Sequence, residues 1–202
     1  MVIRILLADD QALVRGALAA LLRLEPDIDV VAEVGRGDEV LAAAHNTSPD
    51  VCLLDIEMPG ADGIAAAAEL SSELPGVRTI IVTTFGRPGY VRRALEAGAS
   101  GFVVKDTPSA ELADAVRRVH AGERVVDAAL ATESLISGAN PLTERERDVL
   151  AASLDGAPIA DVAQVVHLSQ GTVRNYASAA IAKTGAANRV EAARAARDRG
   201  WL

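Results

Sequence analysis

One stretch constrains the fold more than any other. Residues 49–63 read Pro-Asp-Val-Cys-Leu-Leu-Asp-Ile-Glu-Met-Pro-Gly-Ala-Asp-Gly. Val51, Cys52, Leu53 and Leu54 form an unbroken apolar run, the pattern of a parallel strand covered on both faces. Asp55 stands where that strand should stop, and Pro59, Gly60 and Gly63 force a loop before the next helix. In open parallel sheets, ligands bind outside the carboxyl ends of the strands. A carboxylate delivered to that edge by a buried strand is a candidate for chemistry rather than for the core.

The flanking sequence repeats the alternation. Apolar runs over residues 3–8, 28–34, 51–54, 79–83 and 102–104 read as strands, and the segments 12–24, 38–45, 64–74, 90–97 and 109–121 as helices. In the first helix Leu13, Ala17, Leu21 and Leu24 share one face, which the pattern predicts to be the core face. Aromatic residues are only 2% of the chain, so Ala, Val, Leu and Ile must fill the interior. Five strands alternating with five helices predict an α/β flavodoxin-like domain. Its five-stranded parallel sheet has the order 2-1-3-4-5, with right-handed crossovers.

That order brings particular polar residues to one rim. Asp9 and Asp10 follow the first strand, Asp55 the third, Thr83 ends the fourth and Lys105 the fifth. Three acids so close raise one another's pKa unless a cation sits among them. Oxygen donors without His or Cys suit Mg²⁺, which favours a phosphate oxygen as a further ligand. A carboxylate beside Mg²⁺ and an ammonium can attack a phosphoryl group. This constellation resembles the receiver domain of two-component response regulators, over residues 2–121. The resemblance implies that Asp55 is the phospho-acceptor and that a sensor histidine kinase, or a small phosphodonor, is the source. It implies Asp10 and Asp55 as Mg²⁺ ligands, Asp9 acting through water, and the backbone carbonyl of Glu57 as the third protein ligand. Lys105 would pair with the phosphate, Thr83 would swing to hydrogen-bond it, and Phe102 would be the coupled aromatic.

Residues 122–140, with Gly122 and Gly138 and a possible helical turn or two over 127–136, read as a linker ahead of Pro141. From Leu142 the pattern is helical. Thr143 with Glu146 makes a capping box, and Gly156 and Pro158 break the chain. Ile159, Val162, Ala163 and Val166 give a short amphipathic helix. Ser169 caps a longer one over 172–184, closed by Gly185, and Asn188 caps a last helix over 190–199. Four short helices of this kind predict a small all-α helix-turn-helix domain over residues 141–202. The net charge of the chain is −8. Residues 169–189, however, carry Arg174, Lys183 and Arg189 and no acid, a local basic stripe able to meet a polyanion.

The strings Leu142-Thr143-Glu144-Arg145-Glu146-Arg147-Asp148-Val149-Leu150 and Leu168-Ser169-Gln170-Gly171-Thr172-Val173-Arg174-Asn175-Tyr176 resemble the LuxR-type DNA-binding domain. With the receiver, the whole chain resembles a NarL/FixJ-family response regulator. The departures are Pro158, Tyr176 where histidine is commoner, and the small Ala177, Ala179 and Ala180. The helix starting near Gln170 would enter the major groove of double-stranded DNA. Arg174 and Asn175 are suited to guanine and adenine edges. Thr172, Tyr176, Ser178 and Lys183 are suited to phosphate or groove-wall contacts, and Val173 and Ile181 to the core. A homodimer on phosphorylation is expected, through a face of the fourth helix, fifth strand and fifth helix or through the first and fifth helices. The final helix offers a further dimer contact.

Two other readings compete. A Mg²⁺-dependent phosphatase of the haloacid-dehalogenase kind also uses a strand-end Asp, but it wants a second Asp where Glu57 stands, and it leaves residues 141–202 unexplained. A receiver-type interaction module with weak DNA binding is opposed by the acid-free basic stripe. One cysteine, Cys52, excludes a disulfide framework. The apolar start over 3–8 is too short for a signal peptide, and no run reaches membrane-spanning length. The expectation is a cytoplasmic protein with no membrane partner.

Overall fold

The computed structural model describes residues 2–84, 88–126, 130 and 140–202. The chain divides into two compact units, one within residues 1–132 and the other within residues 133–202. Each unit is described by itself. The residues 127–129 and 131–139, where a helical turn was expected within the linker, lie outside the described residues.

In the first unit β1 (Ile3–Ala8), β2 (Ile28–Val34), β3 (Val51–Leu54), β4 (Arg78–Thr83), β5 (Gly101–Val104) and β6 (Val125–Val126) form one sheet of order β2-β1-β3-β4-β5-β6. Every pairing is parallel. Between them run α1 (Ala12–Leu22), α2 (Val40–Thr47), α3 (Gly63–Glu73), α4 (Pro88–Glu96) and α5 (Ser109–His120). β3 is buried along its whole length, as its unbroken apolar run requires. On one sheet face Ile5, Leu7, Leu53, Ile80, Val82 and Val103 pack with Ala19 and Leu22 of α1 and with Leu112, Val116 and Val119 of α5. Strand alternation turns Phe102, between Gly101 and Val103, to the opposite face.

Two expectations are corrected. The sheet has six strands rather than five, because Val125 donates its N–H to the Ser100 carbonyl at 3.0 Å and Phe102 comes into register with Val126. Two valines after the left-handed Gly122 (φ 96°) are too short a run to carry a period. The core face of α1 is also not the expected one. Ala19 and Leu22 are buried, whereas Leu13 is 86% and Leu24 78% exposed, and Ala17 is exposed as well. The helix, ALVRGALAALL, is apolar nearly all round. It therefore carries two competing stripes, and the sheet, not the helix's own period, selects one of them.

The second unit contains α6 (Glu144–Ala151), α7 (Ile159–Val165), α8 (Gln170–Thr184) and α9 (Arg189–Asp198). The capping box between Thr143 and Glu146 is formed. Ser169 and Asn188 cap α8 and α9 through their side-chain oxygens, and Gly185 closes α8 at φ 71°. Val149, Val162, Ala163, Val173 and Ala177 make one small core, and Leu142, Leu150, Ala180, Ala192, Ala196 and Trp201 another.

Candidate functional site

The carboxyl ends of β1, β3, β4 and β5 lie side by side, and the sequence places a polar residue at each. Asp55 follows β3, and its N–H extends the ladder to the Ala8 carbonyl at 2.9 Å. Lys105 follows β5, its N–H bonded to the Thr83 carbonyl at 2.7 Å. From there the ammonium of Lys105 reaches Asp55 Oδ2 at 2.8 Å and Asp9 Oδ2 at 2.7 Å. The remaining oxygens are also engaged: Asp55 Oδ1 accepts the Ile56 N–H at 2.8 Å, and Asp9 Oδ1 the Gln11 N–H at 2.9 Å. Asp9 and Asp55 are each 3% exposed, whereas Asp10 is open to solvent. One carboxylate oxygen from each of Asp9, Asp10 and Asp55 lies within 4.8 Å of the others.

The electrostatics are unbalanced. Burial pushes the Asp55 carboxyl up, and it stays above the ordinary carboxylate value although Lys105 pulls it down. Burial pulls Lys105 down, but the carboxylates of Asp55 and Asp9 outweigh this and hold the ammonium above its usual pKa. Three carboxylates against one ammonium leave a formal charge of −3 + 1 = −2 on a mostly buried cluster of oxygens. Oxygen donors carrying that charge fit a hard divalent cation.

The other residues singled out on this rim fall into place around the cluster. Thr83 is buried at the end of β4, paired with Val104 of β5. Phe102 is buried in β5 between Ile81 and Val126. Glu57 lies two residues beyond Asp55 with its side chain exposed. Gly63 escaped the functional reading, which took it only as a loop residue. It is the first residue of α3, and a Cβ there would stand 1.8 Å from the Asp55 carbonyl oxygen. A glycine shortly after a strand-end acid is the signal that could have been read.

On α8, Gln170, Arg174, Asn175 and Ser178 are exposed, and helical spacing gathers them on one side. The Arg174 guanidinium sits 3.4 Å from Gln170 Oε1. Val173 is fully buried and Ile181 partly buried, as expected of core positions. The other three expected contacts each have a partner within the same unit. The Thr172 hydroxyl is 2.8 Å from that of the cap Ser169, and Tyr176 packs against the core containing Val173. The Lys183 ammonium grips both carboxylate oxygens of Glu146, at 2.9 and 2.7 Å. In the absence of DNA, Lys183 therefore serves as the partner of Glu146. The Glu146 side chain is 5% exposed. Burial pushes its carboxyl up, but Lys183 and the Thr143 N–H outweigh that and hold it below the usual value. Lys183→Ala strands that carboxylate, which costs more than losing an exposed pair. Because Lys183 is itself a third exposed, the expected loss is about 1–2 kcal/mol, read as an earlier thermal transition of the helical unit. An unchanged transition, together with a uniform loss of DNA affinity, would make Lys183 a phosphate contact and not a structural cation.

Comparison with known proteins gives a consistent pattern. The family described as "Response regulator receiver domain" matches residues 5–117, and "Bacterial regulatory proteins, luxR family" matches residues 140–196. The transcriptional regulatory protein DesR of Bacillus subtilis is 44% identical over 200 residues, covering 99% of this chain and 99% of that one. The DNA-binding transcriptional activator DevR/DosR of Mycobacterium tuberculosis is 36% identical over 200 residues, covering 95% and 92%. Among solved structures, the response regulator ChrA of a heme-sensing two-component system superposes with a TM-score of 0.60 at 31% identity, covering 100% of this chain and 99% of that one.

Proposed function

The chain belongs to the response regulators that join a receiver domain to a LuxR-type DNA-binding domain, and from that premise we propose that Asp55 is its phospho-acceptor. The protein is a DNA-binding transcription regulator of a two-component system and not a phosphatase. We assign the receiver to residues 1–121 with β6 added, the linker to the remainder of 122–140, and the DNA-binding domain to 141–202.

One observation carries the assignment: the Lys105 ammonium bridges the carboxylates of Asp55 and Asp9 at the edge where three strands end. Asp55 has one oxygen held by the Ile56 N–H and the other by Lys105, so its orientation is fixed before a phosphodonor arrives. Mg²⁺ fits the oxygen cluster of Asp9, Asp10 and Asp55, with the Glu57 carbonyl as the further protein ligand. When bound, it neutralises charge on the incoming phosphoryl group. Lys105 then exchanges a carboxylate for a phosphate oxygen, Thr83 supplies a hydroxyl, and Phe102 moves with it, which biases a two-state surface. The donor is a sensor histidine kinase or a small acyl phosphate. The phosphorylated chain pairs with a second copy, and Gln170, Arg174, Asn175 and Ser178 face double-stranded DNA. Among the described residues no helix is long and apolar enough to cross a membrane, and a cytoplasmic location suits the single buried thiol.

Incubation with a small acyl phosphate and Mg²⁺ should add one hydroxylamine-labile phosphate per chain, and chelation of the metal should prevent it. Equal uptake with and without chelator would remove the metal from the mechanism. Uptake onto a hydroxylamine-stable linkage would remove the carboxylate.

A further inference from the structure

We infer that the turn between β2 and α2, residues 35–39, is the positioning element of the acid cluster: it clamps the two loops that carry the cluster's oxygens. The turn lends no side chain to the cluster of Asp9, Asp10 and Asp55. The inference rests on the reading of that cluster as a Mg²⁺ site.

One hold is on the loop after β1. The Val34 carbonyl at the end of β2 accepts the Asp9 N–H at 3.1 Å. The next residue, Gly35, lies against Arg15, and a Cβ there would stand 3.3 Å from Arg15 Nη1. That same nitrogen donates to the Asp9 carbonyl. A side chain at residue 35 would therefore press on the guanidinium that holds the Asp9 backbone.

The hold on the loop after β3 is tighter. Gly37 is buried and donates its N–H to the Pro59 carbonyl at 3.1 Å. A Cβ at Gly37 would stand 1.9 Å from the Ala61 carbonyl oxygen and 2.7 Å from its carbon. One residue on, the Asp38 carboxylate lies against Gly60, where a Cβ would fall 2.3 Å from the carboxyl carbon. Arg36 forks both oxygens of Asp38, at 2.9 and 2.8 Å, which fixes a half-exposed carboxylate in one place. Gly60 takes a left-handed φ of 84°, a conformation that glycine adopts without strain.

What these ties do follows from where they fall in the second loop. At its base, the Ile56 carbonyl takes the Met58 N–H at 3.1 Å and the Gly63 N–H at 3.0 Å. At its tip, Pro59, Gly60 and Ala61 meet Gly37 and Asp38. Glu57, whose carbonyl is the proposed further ligand, lies between the tie at Ile56 and the tie at Pro59. With the base fixed, the tip sets the direction of that carbonyl. Mg²⁺ demands near-ideal octahedral geometry, so a displaced tip weakens metal binding before it unfolds the domain. Groups that only hold the ligands in place commonly govern metal affinity in this way.

The test titrates the metal-free full chain with Mn²⁺, which takes the same oxygen ligands, and reads binding as loss of the free-ion paramagnetic resonance signal well below the melting midpoint. Gly37→Ala, whose Cβ meets backbone atoms, should bind the ion roughly tenfold more weakly than the parent. Overpacking also lowers stability, so two variants at the half-exposed Asp38 carry the decision. Asp38→Asn and Asp38→Ala remove the same charge, and the lost long-range attraction for the ion is common to both. Asn keeps the shape against Gly60 and an oxygen for Arg36, whereas Ala keeps neither. Asp38→Asn should therefore bind Mn²⁺ several-fold more tightly than Asp38→Ala. Phosphate uptake by Asp38→Ala should recover to the parent's level at saturating Mg²⁺. Equal affinities in the two Asp38 variants, or a folded Gly37→Ala chain that binds Mn²⁺ like the parent, would overturn the proposal. Uptake that stays low at saturating Mg²⁺ would place the fault at Asp55 and overturn the metal-positioning role. A parent that binds no Mn²⁺ would instead sink the metal reading itself, and the role of the turn with it.

Discussion

Asp55→Asn should take up no phosphate from acyl phosphate and Mg²⁺, yet fold as well as the parent. The amide is nearly isosteric with the carboxylate. Its oxygen can still accept the Ile56 N–H that Asp55 Oδ1 accepts at 2.8 Å, so the end of β3 keeps its geometry. What disappears is the nucleophile, and an amide cannot form the acyl phosphate. The stability consequence has a definite sign. In the parent, burial holds the Asp55 carboxyl above its usual pKa, so ionising it at neutral pH works against the fold. Without a metal, the variant's receiver unit should melt no earlier than the parent's. The Mg²⁺-dependent rise in melting temperature, which reflects binding to the folded state alone, should shrink, because one of three charged donors is gone. Lys105→Ala should differ: phosphate still adds, slowly, and the melting temperature falls, since Asp9 and Asp55 then lie buried together without their shared cation. Undiminished labelling of Asp55→Asn would move the acceptor elsewhere.

Much of this site was legible because the polar residues interrupt strands that are otherwise apolar. Asp9, Asp55, Thr83 and Lys105 each stand at a strand's carboxyl end, and parallel pairing then leaves no freedom about which edge they share. The tight ion pair of Lys105 with Asp9 was not legible, because sequence order fixes which strands are neighbours but not which oxygen an ammonium selects. Nor was the buried face of α1. A helix with one charged residue in eleven has no polar side from which to read a direction. The leucines expected inside, Leu13 and Leu24, are the ones left outside. On α8 the helix and its cap were readable from Ser169 and Gly185. The fate of Lys183 depended on Glu146, thirty-seven residues earlier. The capping box named Glu146 as a helix-start residue without revealing that its second partner would be a lysine.

Gly63→Ala should cost the receiver unit its stability and its phosphate uptake together. Gly63 opens α3, its N–H bonded to the Ile56 carbonyl at 3.0 Å, and Asp62 caps the helix by accepting the Ala65 N–H. The helix therefore begins hard against the end of β3. A Cβ at residue 63 would lie 1.8 Å from the Asp55 carbonyl oxygen and 2.8 Å from its carbon. Both are backbone atoms, so no rotamer change relieves the clash, and either α3 or Asp55 must shift. Overpacking of this kind costs about 1–3 kcal/mol or more, which for a unit of this size lowers the melting midpoint by roughly 10 °C. If α3 yields, its packing against β3 loosens. If Asp55 yields, its carboxylate leaves the 2.8 Å contact with Lys105, and a near-attack geometry tolerates little displacement. Gly76→Ala is the matched control, because a Cβ there meets nothing within 4 Å and the loss of unfolded-chain freedom favours the fold slightly. A Gly63→Ala chain that melts and labels like Gly76→Ala would mean that α3 does not press on Asp55, and that the acceptor's position is set by its strand alone.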